Sequence, residues 1–151
     1  MQPVEITLSV NIKADKQTVF DAVVDWETQG DWMLGTKVSR TKQQGKDVGG
    51  EIVAWTGFWK IGFNDPMVFT KWEEPDIVEV KHLGRIVKGT GSMIVKEIDK
   101  DNSTFIWSET IDLPLGMLGR FGWIFVKPLF VLGIKISLNR FAHTFTQIDP
   151  A

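Results

Sequence analysis

The chain has 151 residues, 43% of them hydrophobic and 24% charged, a composition that fills one folded domain and excludes a disordered or fibrous chain. Lys and Arg number 17 against 19 Asp and Glu, a formal net charge of −2, so no global field draws the protein toward nucleic acid or an anionic surface. The absence of cysteine excludes disulfides, thiolate nucleophiles and thiolate metal sites, and it accords with a reducing, cytoplasmic location.

Val4, Ile6, Leu8, Val10 and Ile12 alternate with polar residues, which predicts a strand with one buried face and leaves no continuous apolar run for a signal peptide. Asp15 stands at a helix N-cap position. Val19, Phe20, Val23 and Val24 then recur at helical spacing, so an amphipathic helix is predicted from Lys16 to about Val24, with a second short helix over 28–33. Strands follow over 37–44, 51–58, 67–73, 77–83, 92–98 and 104–113, separated by turn chemistry at "QGKDVGG", "NDP", "EEPD" and "DKDNS". Connections this short favour an antiparallel meander. No repeat or Pro/Ser-rich linker interrupts it, so residues 1–151 read as a single domain.

The stretch "FGWIFVKPLFVLGIKI", 121–136, is the most apolar in the chain. Lys127 and Pro128 interrupt it, and Arg120, Lys135 and Arg140 bracket it, leaving less than the ~20 uninterrupted apolar residues of a spanning helix. On a wheel of about 100° per residue, Phe130, Ile134, Leu138, Phe141 and Phe145 fall on one side and Lys135, Asn139, Arg140, His143 and Gln147 on the other. That half of the terminal helix is amphipathic. The half before it is not, because Leu129, Leu132 and Ile136 place apolar bulk on the polar side, and Pro128 must start or kink the helix.

This order of strand, helix pair, meander and long helix resembles the START-like superfamily, within it the polyketide cyclase/dehydrase and lipid-transport group, SRPBCC. "ADKQTVFDAVVDWETQGDW" is similar to the family's opening, with Phe20, Asp25 and Trp32 on its hallmark positions. "WEEPDIVEV" is similar to its strand–acid–Pro–strand step, and "NSTFIWSETIDLP" to its late strand. The resemblance covers nearly the whole chain in element order and implies an α+β helix-grip fold: a curved antiparallel sheet of about seven strands around a long C-terminal helix, with a largely apolar cavity between them. The apolar stretch would then be the lid and first half of the gripping helix, facing the cavity, its mouth or a partner.

Strand parity puts Phe105, Trp107, Glu109 and Ile111 on one face. Facing the cavity, Glu109 is a carboxylate among aromatics, with a raised pKa and a use as general acid, general base or anchor for a ligand hydroxyl; at the strand's wet end, or paired with a lysine, it has none of these. Val78, Val80 and His82 share a face of another strand, so His82 either presents an imidazole to the same cavity or is a hydrogen-bonded or solvent-facing histidine near Gly84. His143 reads as a surface residue. Two distant histidines without cysteine give no metal-site spacing. "GTGSMI" lacks the third glycine of a dinucleotide fingerprint and opens a strand, and no Walker or Gly-x-Ser-x-Gly motif occurs, so no cofactor is expected. Lys37, Arg40, Lys42 and Lys46 read as a solvated edge guarded against strand pairing, and nucleic acid is not an expected partner.

Seven Trp and no Tyr supply the aromatic bulk. Trp55, Trp72, Val80, Met93, Trp107, Trp123, Phe125, Phe130 and Ile134 are the expected ligand-binding set, with Glu109 and His82 the candidate catalytic pair. The resulting expectation is a binder of a small hydrophobic molecule such as a lipid, isoprenoid or aromatic polyketide. Alternatives are a cyclase or dehydratase using Glu109 or His82, and docking of the terminal helix on a membrane surface or a protein partner, the protein being a monomer or a homodimer.

Overall fold

A computed structural model describes residues 3–146. Strand β1 (Val4–Ile12) leads into helices α1 (Lys16–Val23) and α2 (Gln29–Trp32). Six strands follow, β2 (Thr36–Lys42), β3 (Glu51–Phe58), β4 (Ile61–Glu73), β5 (Ile77–His82), β6 (Gly89–Asp99) and β7 (Asn102–Ile111), and then helix α3 (Gly116–Thr144). They make one seven-stranded sheet in the order β1-β7-β6-β5-β4-β3-β2, with every neighbouring pair antiparallel.

Local chemistry accounts for the helical starts. Asp15 caps α1, its carboxylate accepting from the Thr18 amide at 3.0 Å and the Thr18 hydroxyl at 2.6 Å. Val19, Phe20 and Val23 turn inward from that helix. Trp26 follows, donating its indole N–H to the Gly45 carbonyl at 2.7 Å and stacking on Phe69 with ring centroids 5.3 Å apart. Trp72 closes the cluster, 5.0 Å from Phe69 and 6.2 Å from Phe20. One end of the sheet is therefore filled with aromatic rings.

The strand starting at 67 in the sequence reading begins at Ile61 instead, and "NDP" lies inside β4 rather than in a turn. The turn is at Trp59 and Lys60, where Trp59 takes a left-handed backbone conformation with φ +56°. Pro66 is tolerated there. It pairs with Val53 in β3, and its carbonyl accepts from the Leu83 amide. β2 is an edge strand, and its Arg40 and Lys42 sit beside Glu27 and Glu51, at 3.7 and 3.8 Å.

Helix α3 splits as its pattern predicts. Ile134, Leu138 and Phe141 are buried in the core, with Trp32 packed 4.8 Å from Phe141. Phe130 and Phe145 are partly buried, and His143 is exposed; Gln147 lies outside the described residues. The helix nevertheless begins at Gly116 and runs through Pro128 without a break, so the proline neither starts it nor ends it. By length and hydropathy α3 is long and apolar enough to cross a membrane, with 17% of its most apolar window buried, but its second half is part of the protein core.

Candidate functional site

A cavity of about 300 Å³ lies between the sheet and α3, at the end of the sheet opposite the Trp26 cluster. Ile52, Ala54, Met67, Val80, Met93 and Trp107 wall its sheet side, and Phe130, Gly133 and Ile134 its helical side. Ser137 braces the buried end of this wall: its hydroxyl donates to the Gly133 carbonyl at 2.8 Å and accepts from the Leu34 amide at 3.0 Å, tying the α2–β2 link to α3.

Three ionisable side chains converge in this apolar wall. His82 is central, its Nδ1–H donating to both Asp65 oxygens at 2.8 and 3.0 Å. Its Nε2 is 3.0 Å from Oε2 of Glu109. The side chains of His82, Asp65 and Glu109 are only 4%, 10% and 13% exposed, so each group meets the others in place of bulk water.

The sheet register explains how Glu109 reaches so far. Gly91 stands between Val80 on β5 and Glu109 on β7, and a Cβ built there would meet Oε1 of Glu109 at 2.6 Å. The missing side chain is the gap through which the carboxylate crosses β6 to the histidine.

Burial alone lowers the pKa of the imidazole, but its hydrogen bonds to Asp65 and Glu109 and their negative charge outweigh it and raise His82 from 6.5 to about 9. Burial pushes the Glu109 carboxyl above its ordinary range, against the hydrogen bond and charge of His82. The two upward shifts have different causes, the carboxylates for His82 and burial for Glu109, but they are coupled through one proton. An imidazolium between two carboxylates and a neutral imidazole facing a protonated Glu109 contain the same protons and the same net charge, so one proton occupies the Nε2–Oε2 bond in either form. Asp65 fixes the Nδ1 tautomer, as an orienting carboxylate does. Such a unit can lend a proton to a ligand oxygen or remove one, and it can anchor a hydroxyl.

The comparisons with known proteins agree with this architecture. No protein-family model and no curated protein matches the sequence. Among solved structures, the Zhui aromatase/cyclase from Streptomyces sp. R1128 superposes with a TM-score of 0.77 at 12% identity, over 96% of this chain and 94% of that one. A Thermus thermophilus protein gives 0.77 at 10% identity, over 93% and 95%. Norcoclaurine synthase from Thalictrum flavum, in complex with dopamine and hydroxybenzaldehyde, gives 0.69 at 12% identity, over 99% and 91%. The chain has the helix-grip fold that these structures share.

Within this helix-grip frame the expected ligand-binding set divides. Val80, Met93, Trp107, Phe130 and Ile134 line the cavity, and so do His82 and Glu109. Trp55, Trp72, Trp123 and Phe125 do not. Trp55 has the opposite strand parity from Ala54 and Thr56, which face the cavity, and its ring lies over Gly62. Trp72 belongs to the filled end. Trp123 packs its ring 5.9 Å from Phe130, outside the lining, and Phe125 is 65% exposed and leans on Phe121. Asp65 is the residue that sequence reasoning missed. Its signal was parity: counted back from Met67, Asp65 and Phe63 share the cavity face. Among the described residues no group of three or more side chains is arranged to hold a metal ion.

Proposed function

We propose that the protein binds a small, predominantly apolar molecule in this cavity, oriented by a hydroxyl or amine that meets the Asp65–His82–Glu109 cluster. The observation that carries the reading is the placing of that buried hydrogen-bonded cluster in the wall of an otherwise apolar cavity, the combination that small-molecule sites use for affinity and orientation. About 300 Å³ is at the lower end of the range for such sites, roughly 300–1,000 Å³, and favours a compact ring-bearing ligand over a long acyl chain. The solved neighbours include an aromatase/cyclase and a synthase bound to two aromatic molecules, which supports the same ligand class. We assign the protein to the cytoplasm, in keeping with its lack of cysteine.

Gly133 offers the sharpest test. It lines the cavity, and a Cβ there would meet no atom within 4 Å. Gly133→Leu should fill the cavity while stabilising the helix by up to about 1 kcal/mol. Native mass spectrometry of the wild type from its own host should show a co-purifying apolar molecule that the Gly133→Leu protein lacks. Equal retention by both proteins would mean that the ligand sits elsewhere.

A second reading makes the cluster catalytic, as in a cyclase or dehydratase, and the upward shift of Glu109 favours it. Glu109→Gln then keeps the ligand and loses turnover. Full turnover in that variant would remove Glu109 from the chemistry.

A further inference from the structure

The mouth end of the sheet carries a second apolar surface, on the outside. Register brings four segments together there: the link ending at Thr36, which pairs with Thr56; the β3–β4 turn between Phe58 and Ile61; the β5–β6 loop after His82; and the link from Ile111, which pairs with Gly89, into α3. At the turn, Phe58, Trp59 and Ile61 are 87%, 78% and 77% exposed. A tryptophan at a solvent tip with φ +56° is held in an unfavourable backbone state, its ring met by the Lys60 ammonium at 5.6 Å and otherwise left largely to solvent.

Helix α3 continues this surface. At about 100° per residue, Leu118, Phe121, Phe125, Leu132 and Ile136 fall on the side opposite Ile134, Leu138 and Phe141, and the first five are exposed where the last three are buried. The stripe from Leu118 to Ile136 is roughly 27 Å long at about 1.5 Å per residue. Exposed apolar surface on this scale marks a contact site.

Charge selects the partner. Segments 58–64, 83–88 and 112–128 contain Lys60, Arg85, Lys88, Arg120 and Lys127 against the single acid Asp112, in a chain of formal net charge −2. Helix α3 has no acidic residue along its whole length. A contact between two copies through this surface would bring together two patches of the same positive sign, with no carboxylate on the helix to pair them. An anionic bilayer matches both features: aromatic and aliphatic side chains enter the interface, and lysine and arginine remain at the headgroups.

We propose that this end of the protein docks on the surface of an anionic membrane, through the Trp59 turn and the outer stripe of α3, with the cavity mouth facing the lipid. Docking does not depend on what the cavity holds. The probe is flotation with phosphatidylcholine vesicles made with and without phosphatidylserine. The wild type should float with the phosphatidylserine vesicles and leave them as salt is raised. Phe121→Gln, Phe125→Gln and Trp59→Ser, each at an exposed position, should keep the wild-type melting curve and lose roughly tenfold in partitioning apiece, whereas Lys60→Gln and Lys127→Gln should weaken binding to anionic vesicles alone. A protein that stays in solution with both vesicles overturns the proposal. So does equal, salt-insensitive flotation on neutral lipid, or a dimer in sedimentation that Phe125→Gln dissociates.

Discussion

The same strands serve two opposite ends of this molecule. Moving toward the mouth, β4 passes from Phe69 to Met67 and Asp65, β5 from Val78 to Val80 and His82, β6 from Val95 to Met93 and Gly91, and β7 from Phe105 to Trp107 and Glu109. At the filled end these inward positions hold large apolar side chains at 0–1% exposure; four residues along, they hold a glycine and three ionisable groups. The site exists because the strands stop supplying bulk. Packed apolar bulk resides at one end and the ionisable groups at the other, a division that substitution can test.

Phe69→Ala should be the costliest change. Phe69 is 1% exposed and touches Trp26 and Trp72, so its removal opens a void among rings that cannot collapse, a loss of about 3–5 kcal/mol in urea unfolding. Met67→Ala, two residues away on the same face, enlarges a cavity that already exists and is relieved of that added term. A cost as large as that of Phe69→Ala would mean that the two ends are equally packed.

The pH dependence of stability should come from the mouth end. Because the folded-state pKa of His82 is raised from 6.5 to about 9, its contribution is complete below pH 6.5 and is lost as pH rises through 9. The buried Glu109 shifts in the same direction and acts with the same sign. Unfolding free energy should therefore fall by roughly 3 kcal/mol between pH 6 and pH 9.5, and His82→Gln should flatten that slope. NMR titration of His82 should give a midpoint near 9. A midpoint at its ordinary value of 6.5 would refute the cluster as described.

Gly91→Ala tests the His82–Glu109 hydrogen bond without substituting either partner, because the new Cβ would meet Oε1 of Glu109 at 2.6 Å. The new Cβ displaces only the end of a flexible side chain, so stability should drop by about 1 kcal/mol, the net worth of one hydrogen bond, while the His82 midpoint moves down toward its ordinary value. This glycine shows where sequence reading ends. Strand parity put Glu109 on one face with Phe105 and Trp107, and His82 on one with Val78 and Val80, without telling which face was inward, and the meander made both strands neighbours of β6. It could not reveal that they touch, because that depends on a side chain that Gly91 lacks, on a third strand. Asp65 was hidden for a different reason. "NDP" has turn chemistry, and the real turn is formed by Trp59 and Lys60, residues that carry no turn signal. Trp55, Trp72, Trp123 and Phe125 were misplaced because aromatic character cannot distinguish a filled core, an outer sheet face and an exposed helix.

The smallest effect should come from the most hydrophobic-looking region. Phe125 is 65% exposed and Leu138 is 2% exposed on the same helix, although their side chains are similarly apolar. Phe125→Gln should change unfolding free energy by no more than about 0.5 kcal/mol, as is usual at surface positions, because the ring's apolar surface is already in water. Leu138→Gln would bury an unpaired amide and lose the packing of a core side chain. If Phe125→Gln proved strongly destabilising in the isolated protein, the outer stripe of α3 would have to be covered in solution, and a self-associated form would account for that better than a membrane. An unchanged midpoint leaves its apolar surface free for a partner outside the fold, which is what a bilayer contact requires.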